Sequence, residues 1–265
     1  MTKTRISRRN AIRMTATGLS LAGAAIAAPH AAFAAAPRNE GLMAPGSRTL
    51  QHLMAALARS PRRRNFKTVP MILTHPDEWD AEALDRLLHY QGTPKQVWDN
   101  TAIESPWLNL MRNALNAQIW SFRHPDFLCV SATHGSAHMA LYDDVIWDKY
   151  LRKFTQGKWT RNVWLKTSPA AHGNPADFEN PRGAFSPHDN SIPVLQQRGV
   201  VFLACHNAVW ELTMAVRKKG INPDHLDHAR MAAEFTNHLI PGAVLTPGVV
   251  GTLPELQLAG FQYIK

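Results

Sequence analysis

From residue 95 onward, apolar runs of strand length alternate with stretches of helical spacing. KQVWD (95–99), FLCVSA (127–132), VVFLA (200–204), GAVLTP (242–247) and FQYI (261–264) read as strands. Between the first two, Leu108, Met111, Leu115 and Ile119 fall on one helical face, behind Ser105-Pro106 as an N-cap and first-turn pair. His134-Gly135 turns the chain into a helix reaching Asp148 and Lys153, and Ser191 and Pro193 open a short helix that Gly199 stops. The helix from Asn207 closes on Arg217, Lys218, Lys219 and Gly220, the cation-then-glycine ending that suits a helix C-terminus. Asn222-Pro223 opens another helix, to about Leu239, and 248–259 a last one. Strands apolar throughout and separated by helices imply a mainly parallel sheet covered on both faces, an α/β fold. Ligand sites in such sheets lie beyond the carboxyl ends of the strands, where Cys205 and the Thr133-His134 pair fall.

The chain before residue 95 reads differently. TLQHLMAALAR (49–59) and 80–89 have amphipathic helical spacing, and VPMIL (69–73), holding Pro70, fits only an edge strand. We take 49–94 as a helical extension and the Ala-, Pro- and Gly-rich 35–48 as a linker. Residues 155–190, rich in Pro, Gly and Asn, read as a long irregular segment.

The first 34 residues lie outside that pattern. SRRNAIR carries Arg8 and Arg9, a soft Ala- and Gly-rich core follows, and Ala32-Phe33-Ala34 supplies a small-x-small cleavage pattern. This looks like a twin-arginine export signal, with Ile12 or, by strict spacing, Ala11 where that motif usually carries Phe. The core is too poor in Leu and Val to hold in a bilayer, so the mature chain is expected without a stable membrane anchor and in the periplasm. The removed piece carries Lys3, Arg5, Arg8, Arg9 and Arg13 and no acid, so the formal charge of +9 falls to about +4. That weakens a nucleic-acid partner. SPRRRNFK (60–67), the one dense basic cluster, lacks interleaved aromatics and reads as solvated surface.

Chemistry enters with two cysteines, too few for a disulfide framework. Cys205 follows an apolar strand and opens a helix, where free N–H groups and the helix dipole favour thiolate, so its pKa is expected to fall. Its bland alternative is a small buried hydrophobe. Cys129 sits inside a strand and reads as core. A Cys129–Cys205 disulfide requires neighbouring strands and Cα atoms within about 7 Å. His134 and His138 are four apart, and His206 adjoins Cys205. If these strand ends meet, Cys205, His134, His138 and His206 make a soft N/S set suited to copper or zinc, the cofactor alternative to none. A Cys–His hydrolase needs His134 or His206 oriented on Cys205. His225, His228 and His238 read as solvated. Asn109, Asn113 and Asn116 line one helical face, facing a polar ligand, solvent or an interface.

VVFLACHNAVWELTMAVRKKGI, followed by IPGAVLTPGVVGTLPELQLAGFQYIK, resembles the DsrE-like sulfur-relay family. The shared order is an apolar strand, a cysteine, a helix ending in basic residues and Gly, a Pro-Gly strand, a helix with LQ-x-x-G and a terminal aromatic strand. SPWLNLMRNALNAQIWSF and FLCVSATHGSAHMALYDD occupy the family's first helix and second strand, so the resemblance covers about 95–265, with insertions at 155–198 and 221–241. It implies a three-layer α/β/α sandwich of about five strands, a homo-oligomer, and Cys205 as a thiolate that accepts a persulfide sulfur from a donor protein and passes it on. Thr133, His134, Gly135, His138, His206, Asn207 and Asn116 are the expected pocket. The export signal and the insertions depart from the cytoplasmic relay members. Three readings follow: an exported sulfur carrier or sulfurtransferase, a periplasmic metal-binding protein, and a non-catalytic interaction protein.

Overall fold

Strands β2 (Leu128–Thr133) and β3 (Val201–Cys205) are buried at every residue, as the unbroken apolar runs require. In the computed structural model, which describes residues 40–168 and 173–265, they lie at the centre of one five-stranded sheet. β1 (Lys95–Asn100), β4 (Val244–Thr246) and β5 (Gln262–Ile264) complete it in the order β4-β3-β2-β1-β5. Every pairing is parallel.

The strand order explains the layers. The chain steps in one direction from β1 to β4 through α3 (Trp107–Asn116), α4 (Asp144–Ile146), α5 (Arg152–Phe154), α6 (Ile192–Gln197), α7 (His206–Lys218) and α8 (His228–Asn237). Met111, Leu115, Leu195, Val209 and Phe235 share one core with Phe202 and Ala204 of the sheet. The last crossover, through α9 (Val249–Leu258), runs the other way, from β4 past three strands to β5. A right-handed connection whose direction reverses must cover the other face. There Leu253 and Leu256 share a core with Val97, Val130 and Leu203. Helices α1 (Arg48–Arg59) and α2 (Ala81–Leu88) fill the rest of that face with Leu50, Leu53, Leu57 and Leu87. The three-layer α/β/α sandwich is therefore complete only with the extension, each fully buried Leu contributing roughly 1.5–3 kcal/mol.

Several expectations need correction. Leu42, Met43, Ala44 and Ser47, read as linker, are buried. VPMIL forms no strand: Val69 is tied by its N–H to Ala229 O, and the Pro70 carbonyl meets the His206 ring. The basic cluster at 60–67 is not a solvated face. Asp80, 1 % exposed, accepts from Arg63 N at 2.8 Å, Arg64 Nη2 at 2.9 Å and Leu245 N at 2.8 Å, clamping the extension to β4. Helix α8 starts at His228, capped by Asp227, because Asn222 bonds Leu226 through both its amide groups and holds 222–226 as a loop. The α3 N-cap is Pro106, one residue late. Arg8, Arg9, the cleavage site and the start of the linker lie outside the described residues. Among the described residues, no helix is long and apolar enough to cross a membrane.

Candidate functional site

β3 ends on Cys205, which is also the N-cap of α7. Side-chain alternation sends Ala204 to the face of Phe202, and Cys205 to the face of Leu203 and α9. The α9 crossover brings Val249, the first residue of that helix, over the sulfur. Cys205 Sγ accepts from Ala208 N at 3.4 Å and Val249 N at 3.3 Å, and the Asn207 N–H also favours its anion. Two helices of 13 and 10 residues thus point their positive ends at one sulfur. Cys205 is, however, only 3 % exposed. Burial pushes its thiol above the ordinary value and outweighs the N–H groups of Val249, Ala208 and Asn207. The expected fall in pKa is therefore reversed: the amides are in place, but desolvation exceeds them.

The histidines do not gather on that sulfur. His134 is not yet in a helix, with φ −149° and ψ −166°, and the turn after it is a 3-10 helix, Gly135–Leu141. The four-residue spacing to His138 therefore does not put the rings on one face. His134 Nε2 donates to Asp99 Oδ1 at 2.6 Å, and Tyr263 Oη donates to Asp99 Oδ2 at 2.7 Å. Burial would raise Asp99, but the bonds from Tyr263 and His134 prevail and hold it below the usual carboxylate value. His138, fully buried, accepts the backbone N–H of Cys205 at Nε2. Burial, with His134 and His206 adding to it, lowers its pKa to about 3. His206 turns away from the sulfur and donates from Nε2 to Pro70 O at 2.7 Å. Among the described residues, no three His, Cys, Asp or Glu side chains converge as a metal site, so Cys205, His134, His138 and His206 are not assembled as one four-residue set. The Cys–His hydrolase also lacks its defining contact: His134 stands at the next strand end but bonds Asp99, not Cys205.

The other expected pocket residues scatter. Thr133 lies on the opposite face, its Oγ1 2.7 Å from Ser131 Oγ, which accepts from Asn100 Nδ2 at 2.8 Å. Gly135, at φ +53°, serves a close crossing: a Cβ there would sit 2.6 Å from Thr101 O. Asn207 is exposed beside the cradle, its amide 2.8 Å from where a Cβ on Gly248 would lie. Asn116 ends α3, which runs back to the amino ends of the strands, and it bonds Arg198 there, far from the cradle. Cys129 is core, as expected. It and Cys205 occupy opposite faces and opposite ends of paired strands, so both are free thiols. His228 and His238 are not simply solvated: one stacks on Trp210 at 3.9 Å, the other bonds Asp143 Oδ2 at 2.8 Å.

Sequence reasoning missed Val249, Asp99 and Tyr263, each joined to its partner only by the sheet order. It also missed a cleft of about 350 Å³ at the start of α3, lined by Ser105, Trp107, Asn109, Trp164 and Asp189. The cleft does not include Cys205, so this opening and the sulfur are separate features. No known protein family, curated protein or solved structure matches this chain.

Proposed function

We propose that the chain is an exported DsrE-like sulfur carrier or sulfurtransferase, with Cys205 as the sulfur acceptor. The observation that carries this reading is the convergence of the Ala208 and Val249 N–H groups, from two helix starts, on one sulfur. Such a cradle stabilises an anion of sulfur, whether thiolate or the terminal sulfur of a persulfide. Burial keeps Cys205 a thiol where it stands. In this reading, water and donor reach the sulfur beside Asn207, which is exposed next to Gly248.

In the transfer step, the Cys205 sulfur attacks the outer sulfur of a donor persulfide. A sulfur–sulfur bond to Cys205 forms as the donor's breaks. The electron pair leaves on the donor sulfur, which takes up the proton lost by Cys205. One thiol and one persulfide exchange places, and no outside oxidant or reductant is needed. In this reading the protein leaves the cytoplasm folded, through the twin-arginine machinery, works in the periplasm as a homo-oligomer, and meets a donor or acceptor protein there.

The test is incubation of the purified protein with a small-molecule persulfide, followed by intact mass. Wild type and Cys129→Ser should each gain one sulfur atom, and Cys205→Ser none. No gain on wild type, or equal gain on Cys205→Ser, overturns the proposal.

A further inference from the structure

At the amino ends of β2 and β3, on the face away from the cradle, two arginines are buried with no acid paired to them among the described residues. Arg198, just before β3, is 1 % exposed, and Arg112, on α3, is 7 % exposed. Arg198 Nη2 donates to Asn116 Oδ1 at 2.7 Å, and its guanidinium lies 4.7 Å above the Phe185 ring. Its Nε and Nη1 are buried and have no partner among the described residues. Arg112 bonds only neutral oxygens: Asn109 Oδ1 at 2.9 Å, Asn113 Oδ1 at 2.6 Å and Phe185 O at 3.0 Å. The asparagines on one face of α3 thus turn their oxygens to the two guanidiniums. Cys129 is the nearby group able to become an anion, and burial raises its pKa far above neutrality, so it stays neutral. Burial and the neighbouring Arg112 push Arg198 down to about 9, which leaves it charged at pH 7.

Two like charges taken out of water without a counter-charge are strongly unfavourable, and arginine does not escape by losing its proton. Free N–H donors on a planar guanidinium match the oxygens of a carboxylate, sulfate or phosphate. We infer that Arg198 and Arg112 form a binding site for a small oxyanion, held by the unpartnered Nε–H and Nη1–H of Arg198 and closed over by Phe185. The site does not depend on the sulfur reading, being at the opposite end of the sheet.

The test is thermal unfolding of the full chain at fixed ionic strength, with chloride exchanged for millimolar sulfate, phosphate or acetate. These levels lie below those at which sulfate stabilises proteins generally by exclusion from their surfaces. Once the site is saturated, the wild-type midpoint should rise by about 3–5 °C per tenfold increase in anion. Arg198→Met, which removes the buried charge, should match or exceed wild type in chloride and lose the response. Asn116→Asp, which sets a carboxylate against Arg198 Nη2, should lose it too, and serves if the methionine variant does not fold. Calorimetric titration of wild type with sulfate should give one site per chain. A response to sulfate and phosphate alone identifies a tetrahedral ligand, and one to acetate as well a carboxylate; either supports the site. No saturable response to any of the three, or a response retained by the folded variants, overturns it.

Discussion

Cys205 donates its backbone N–H to Nε2 of His138 at 3.0 Å, so the neutral His138 ring carries its proton on Nδ1. One strand away, His134 is bound to a carboxylate through Nε2 and holds its proton there. The two rings therefore present protons from different nitrogens, Nδ1 in His138 and Nε2 in His134, and nitrogen-15 NMR should show the Nδ1–H form at His138. His138→Ala strands the buried Cys205 N–H and opens a cavity, and should lower unfolding stability by roughly 2–4 kcal/mol. A denaturant titration measures it.

The same ring gives the protein an acid-sensitive core. His138 titrates near 3 when folded, against an ordinary value of 6.5. The unfolded chain thus binds the proton first, and stability from this group, whole above pH 6.5, is lost as pH falls from 6.5 toward 3. The loss should reach roughly 4–5 kcal/mol. His138→Gln, which keeps an acceptor for the Cys205 N–H but has no titrating ring, should flatten stability against pH over that window.

Reactivity at Cys205 should follow burial rather than the helix dipoles. Alkylation of the folded protein should be slow at neutral pH and should rise with a midpoint above that of a free thiol, because burial raises this group. Cys129 should react only on unfolding. Val249→Pro removes one N–H donor at a helix position that tolerates proline, after a Gly248 in extended conformation (φ −174°, ψ 121°). The alkylation midpoint should move further up in that variant. An unchanged midpoint would show that the Val249 amide does not act on the sulfur.

Two structural substitutions test the extension. Asp80→Ala leaves Arg64, whose side chain is 7 % exposed, without its carboxylate and should destabilise by about 3–5 kcal/mol. Gly199→Ala adds a Cβ at φ +89° and 2.7 Å from Leu50 Cδ2, and should lower stability by roughly 1–3 kcal/mol. Thermal unfolding followed by circular dichroism measures both.

The strands and most helices were legible because their residues lie within one local pattern: Val201–Cys205 is apolar throughout, and Gly220 ends a helix closed by cations. The cysteine's place at a strand-to-helix junction was legible for the same reason. The cradle was not, since Val249 is 44 positions away and arrives only through the reversed crossover. Asp99 and His134 are 35 positions apart and meet because β1 and β2 run side by side. Arg64 was misleading, and Arg198 drew no attention, because arginine usually ends in solvent and no local pattern shows that a side chain will be enclosed. VPMIL looked like a strand because it is apolar, but its contacts are made to loops and helices rather than to a sheet edge.

The reversed crossover also makes the cradle depend on two distant parts of the chain. The amides of α7 follow Cys205 directly, but the Val249 amide reaches the sulfur only after the polypeptide has passed from β3 through β4 into α9. A partly wound molecule would carry a thiol bare on one side, and only the finished topology encloses it. Loss of α9 docking would therefore take the Val249 amide from the sulfur and unmask that side of it.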